Sequence, residues 1–183
     1  MRELSAAART LTGSVTDGIL RNAELPVVVV REGQSFPEPG LHRLLVGVDR
    51  SQPSEGAAVF AAALGLEGGV RLILCAVVAT DRAGDPLGAA ARDAVDAGVE
   101  YANAVDLYPD TQIIEAPDAV SGLLDAAQRE RADAIVVGTH GRRHLERVVL
   151  GSTAESVVRR SGIPVIVIPA RARLLPDFLA ARV

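Results

Sequence analysis

Residues 132–169, ADAIVVGTHGRRHLERVVLGSTAESVVRRSGIPVIVIP, contain two short apolar runs and a helix-like segment between them. The first run, ADAIVVG, is β-branched, too short for a helix, and closed by Gly138, so it reads as a buried strand. STAESVVRRS (152–161) opens on hydroxyls and has the composition of a helix, and PVIVI (164–168) is a second buried strand. Strand, helix and strand in succession imply a right-handed parallel crossover.

Working outward, the same alternation fills the chain. LLVGVD (44–49), VRLILCAVV (70–78) and TQIIEA (111–116) read as strands. PSEGAAVFAAALGLEGG (53–69), a segment from Pro86 to Ala104 and DAVSGLLDAAQRER (118–131) read as helices. The expected class is therefore α/β: a doubly wound, Rossmann-like sheet of five parallel strands in the order 3-2-1-4-5, with helices on both faces.

An internal repeat marks the N-terminus. Gly13 to Arg31 aligns without a gap on Gly151 to Pro169 at a constant offset of 138, with six identities in 19 positions (Gly13, Ser14, Arg21, Pro26, Val27 and Val29). Residues 1–31 are expected to be the last helix and strand of a preceding copy of the domain. A linker over 32–41, the complete domain over 42–170 and a tail over 171–183 follow. A mis-set start codon, with the true gene product starting upstream as a full tandem protein, is an alternative expectation. The orphan strand PVVVV (26–30) is expected to pair antiparallel with 164–168, within one chain or across a swapped dimer, because an apolar sheet edge left bare is a liability.

Composition narrows the function classes. Of 183 residues, 49% are hydrophobic and 23% charged, which suits one globular domain. Aromatic residues are 3% with no Trp, so the core must be aliphatic. A net charge of −4 argues against a nucleic-acid binder. The single cysteine, Cys75, sits in an apolar run and is expected to be a buried, inert thiol. No apolar stretch is long enough for a membrane span, and a cytoplasmic location is expected.

The loop chemistry follows from spacing: Gly138, Gly141 and then Gly151 with Ser152 and Thr153 form G-x2-G-x9-G-S-T. Glycines at a strand end let a ligand approach the backbone, and a helix start offers unpaired N–H groups to an anion. Each residue also has a structural alternative: Gly138 as a strand terminator, Ser152 as a helix cap, Asp49 as a cap for the helix that follows it. Asp133 lies at the opposite end of its strand and is expected to be structural.

This pattern, with LLVGVDRSQPSEGAAVFAAAL as an opening strand, acid and helix, resembles the universal stress protein family over about residues 42–169, and its spacing fits the ATP-binding members. The resemblance implies an adenine nucleotide, ATP with Mg2+ on its phosphates, lying across the point where the strand order reverses. Val48, Asp49 and Val77 would line the adenine and ribose pocket. Gly138, Thr139, His140, Gly141 and Arg142 would wrap ribose and phosphates, and Gly151, Ser152 and Thr153 would hold the phosphate tail. It also implies a homodimer, or its intrachain imitation, through the last strand. The chain is expected not to be an enzyme beyond slow ATP hydrolysis, since no serine- and glycine-rich phosphate loop follows the first strand and no G-x4-G-K-[S/T] is present. A module of the same fold without nucleotide, and an adenylate-transferring enzyme, stand as the alternatives.

Overall fold

Within each apolar run successive side chains go to opposite faces of one sheet, and each face has its own core. Leu44, Val46, Leu72, Leu74, Val136, Ile166 and Ile168 share one layer. Leu45, Ile73, Cys75, Ile135, Val137, Val165 and Val167 share the other. Burial on both faces is what makes these runs continuously apolar. In this computed structural model the described residues are 14–80, 88–139, 151–170 and 172.

The elements are α1 (Ser14–Asn22), β1 (Val27–Val29), β2 (Arg43–Gly47), α2 (Gln52–Gly68), β3 (Arg71–Ala79), α3 (Ala89–Asn103), β4 (Asp110–Ala116), α4 (Ala119–Glu130), β5 (Ala134–Gly138), α5 (Ser152–Arg160) and β6 (Val165–Ile168). They build an α/β fold with one mostly parallel six-stranded sheet, ordered β1-β6-β5-β2-β3-β4. Ala57, Ala58, Ala61 and Ala62 of α2 and Ala91, Ala94 and Val95 of α3 cover one face. Val120, Leu123, Ala126 and Ala127 of α4 and Ala154, Val157 and Val158 of α5 cover the other, with Leu20 of α1.

The sheet differs from the five-stranded parallel expectation at one edge. A sixth strand, β1, pairs antiparallel with β6, Val27 opposite Val167, Val28 opposite Ile166 and Val29 opposite Val165. The physical reason is the bare apolar edge that β6 would otherwise present. The pairing lies within one chain, one of the two arrangements expected. Arg31 holds it in place, its Nη1 donating to the carbonyls of Arg159 and, at 3.3 Å, Ser161. Gln34 Nε2 donates to Ser161 O at 2.9 Å.

Local signals set most helix ends. Ser51 caps α2 by accepting from Ser54 N, and Gly69, at φ 64°, closes it. Asp118 caps α4 by accepting from Ser121 N at 2.9 Å. α3 opens at Ala89 after Gly88, which takes the left-handed φ of 66°; Pro86, where the helix was expected to begin, lies outside the described residues. At the base of the sheet, Asp133 Oδ2 accepts from His42 N at 2.7 Å and Arg43 N at 2.8 Å, tying β5 to β2. Its role is the structural one expected.

Candidate functional site

The chain leaves β2 for β3 and β4 on one side and later returns through β5 and β6 on the other, so the crossovers diverge above the carboxyl ends of β2 and β5. In open α/β sheets ligands bind at such a point. A cavity of about 100 Å³ lies there, lined by Gly47, Val48, Asp49, Ser54, Cys75, Val77, Ala119, Leu123, Val137, Gly138, Thr153 and Ala154.

β2 contributes through a turn that its own sequence shapes. Val48 N continues the ladder by donating to Cys75 O at 2.9 Å. Asp49 Oδ1 then accepts from Ser51 N at 3.0 Å and from Ser51 Oγ at 2.6 Å, while Asp49 N donates to Ser54 Oγ at 2.9 Å. Arg50 between them has φ 65°, a left-handed conformation that costs a non-glycine residue on the order of 1 kcal/mol. One carboxylate oxygen of Asp49 therefore orders the start of α2. Among the described residues, Oδ2 has no hydrogen-bond partner.

β3 supplies the floor. Cys75 is fully buried, and burial pushes its thiol up to about 12, so at neutral pH it is a protonated apolar group. Val77 is met by α4 at Gly122, where a Cβ would lie 2.7 Å from Val77 Cγ1. That absent side chain lets α4 lie close to the sheet and brings Ala119 and Leu123 to the cavity.

β5 and α5 form the remaining wall. A Cβ on Gly138 would fall 2.6 Å from both the backbone carbon and Cβ of Pro53, so the first turn of α2 occupies the space a side chain would need. Thr139 is 2% exposed. Its N–H donates to Ile168 O at 2.9 Å, its Oγ1 accepts from Ala170 N at 3.0 Å, and its carbonyl accepts from Gly151 N at 2.5 Å. Thr139 thus joins β5, the end of β6 and the start of α5. Gly151 caps α5 with no side-chain hydrogen bond, which leaves the first-turn amides without the usual capping oxygen.

Of the residues singled out in the sequence, the fold brings Val48, Asp49, Val77, Gly138 and Thr153 to one cavity. Gly151 and Ser152 stand at the adjoining helix start, Ser152 exposed. Thr139 is buried behind it. His140, Gly141 and Arg142 lie outside the described residues. Sequence reasoning missed Gly47, Ser54, Cys75, Ala119, Leu123, Val137 and Ala154. Gly47 and Val137 could have been found from their places at strand ends; Ala119 and Leu123 enter only through the packing of α4.

The profile of the Universal stress protein family matches residues 40–169. The chain belongs to the universal stress protein family. A universal stress protein of Mycobacterium tuberculosis is 31% identical over 169 residues, covering 88% of this chain and 57% of its own length. The chain thus spans little more than half the length of such curated relatives. A crystal structure of a universal stress protein from Archaeoglobus fulgidus superposes with a TM-score of 0.68 at 26% identity, over 89% of this chain and 56% of that one. A universal stress protein from Archaeoglobus fulgidus in complex with dAMP has a TM-score of 0.58 at 23% identity, over 69% of this chain and 97% of its own.

Proposed function

We propose that this universal stress protein is of the ATP-binding type, a module that takes an adenine nucleotide at the β2/β5 switch point and couples occupancy to a stress response or a partner. The observation that carries this is the convergence on one cavity of Val48, Asp49, Val77, Gly138 and Thr153, drawn from three strand ends and one helix start. The dAMP complex of a structural neighbour supports an adenine nucleotide as the ligand class.

The groups present suit such a ligand. Asp49 Oδ2 can accept from a ribose hydroxyl while Oδ1 keeps the turn in order. Val48 and Val77 offer apolar contact to the base. The uncapped first turn of α5, with the hydroxyls of Ser152 and Thr153, offers donors to phosphate oxygens. About 100 Å³ is below the roughly 300–1,000 Å³ of typical ligand pockets, so the cavity takes only part of a nucleotide. The rest falls to the segment that includes His140, Gly141 and Arg142, by the same resemblance. Among the described residues no group of three acidic, His or Cys side chains could hold a metal. A Mg2+ would therefore be carried by phosphates and waters.

Binding without efficient turnover is the activity we assign. In the described lining, burial keeps the Cys75 thiol protonated, so it is not an activated nucleophile. Among the described residues no helix is long and apolar enough to cross a membrane, and a cytoplasmic setting is part of the proposal. So is the origin of residues 1–31 as the last helix and strand of a preceding copy, which makes the β1–β6 contact an intrachain imitation of a dimer contact.

Calorimetry with Mg-ATP tests binding: saturable heat that Asp49→Ala reduces at least about tenfold in affinity is expected. No heat and no thermal shift at millimolar nucleotide would leave a nucleotide-free interaction module, and release of AMP and pyrophosphate would favour an adenylate-transferring enzyme.

A further inference from the structure

Among the described residues, nothing packs on the outer face of β1, and apolar side chains of the α1–β1 unit stand exposed there. β1 ends the sheet order, so its edge away from β6 has no strand beside it among the described residues. Among the described residues, five of the eight large apolar side chains left exposed fall between residues 19 and 36.

The repeat tells what would cover them. Ile19, Val28 and Val30 are 51%, 47% and 44% exposed, whereas their equivalents at the offset of 138, Val157, Ile166 and Ile168, are 0%, 1% and 0% exposed. Three elements bury those equivalents. β5 lies parallel to β6, Ile135 opposite Val165 and Val136 opposite Ile166. Alanines of α2 share a core layer with Ile166 and Ile168. Val120, Leu123 and Ala126 of α4 share the other layer with Val157. The inward neighbours behave differently: Leu20 is 2% exposed, and Val27 and Val29 pack against the layer they share with β6. The exposed positions are thus the ones whose counterparts face β5, α2 and α4.

We propose that this surface docks a unit made of the first four strands of a universal stress protein domain without its last helix and strand. Such a unit presents an open parallel edge for β1, an α2-like helix for Val28 and Val30, and an α4-like helix for Ile19. A second copy of this chain does not fit, because its own β5 is already flanked by β2 and β6. The proposal rests on the repeat and not on nucleotide binding.

The probe is residues 40–150 of this chain, produced separately and mixed with the full chain. A 1:1 complex by sedimentation is expected, with exchange of the β1 amides not bonded to β6 slowed at least about tenfold. Ile19→Lys and Val28→Lys, both at exposed positions, should weaken it at least about tenfold. Where the fragment aggregates, a fusion of residues 40–150 directly before Gly13 decides: a protease-resistant added segment and protected β1 amides support docking. An added segment that stays protease-sensitive, with β1 amides exchanging as in the parent, overturns it, as does a complex indifferent to both lysines. Failure here leaves the repeat itself to a different measurement, the oligomeric state after removal of residues 1–31.

Discussion

Gly138 shows how one residue serves packing at a place where ligand chemistry was expected. A glycine there lets a ligand meet the backbone, yet the neighbour at 2.6 Å is Pro53, far away in sequence, at the start of α2. Gly138→Ala should lower stability by roughly 1–3 kcal/mol, because neither a proline nor a helix start yields easily. Urea denaturation checks this; an unchanged midpoint would sink it. Asp118 gives a pH-dependent counterpart. The Ser121 N–H, then the Ser121 hydroxyl, hold its carboxyl below the usual aspartate range. A carboxyl lowered in the native state stabilises it above the unfolded-state value, and that contribution is lost as pH falls through the native value. Stability measured from about pH 6 down to about pH 3 should therefore fall less steeply in Asp118→Asn, which keeps a capping side chain. Parallel curves would count against the assignment.

At the scale of elements, α5 touches the cavity at one end and the β1 unit at the other. Thr153 and Ala154 in its first turn line the cavity, while Arg159 O and Ser161 O at its other end receive Arg31 and Gln34. A guanidinium at a helix C-terminus supplies donors to carbonyls that have no helical partner and complements the dipole. Replacing both Arg31 and Gln34 by alanine should loosen the docking of β1 by about 1–2 kcal/mol, read as faster amide exchange at Val27–Val29. Exchange equal to the parent's would show that β1 is held by its strand pairing alone. Nothing local in the sequence announces this clip, since Arg31 and Ser161 meet only after β1 has paired with β6.

For the molecule as a whole, the register of β1 on β6 is the informative quantity. Under the repeat, Val27, Val28 and Val29 correspond to Val165, Ile166 and Val167, and they pair with Val167, Ile166 and Val165 in turn. Residue i meets j while the equivalent of j meets the equivalent of i, which is the pattern of a two-fold axis at Val28 and Ile166. If β1 stands in for a partner's last strand, removing residues 1–31 should free β6 and give a dimer by sedimentation. A soluble, unchanged monomer would mean that the edge needs no cover. The sequence carried the repeat and the wish for antiparallel pairing. That the pairing occurs within one chain depended on whether the residues after β1 could return to β2 with β1 in place.

The sequence by itself determined the α/β class, the places of the strands and the family, because two-sided burial imposes continuous apolar runs and glycines and caps punctuate them locally. It also placed Val48, Asp49, Val77, Gly138 and Thr153 near one another, since they stand at strand ends or the following helix start on the same edge of the sheet. Only the tertiary structure decided that Thr139 is a buried joint, that Asp49 commits Oδ1 to the turn before α2 while lining the cavity, and that α4 forms a wall of it. Those outcomes rest on contacts between segments far apart in the chain, and no local pattern of residues encodes which of several available neighbours a side chain will meet.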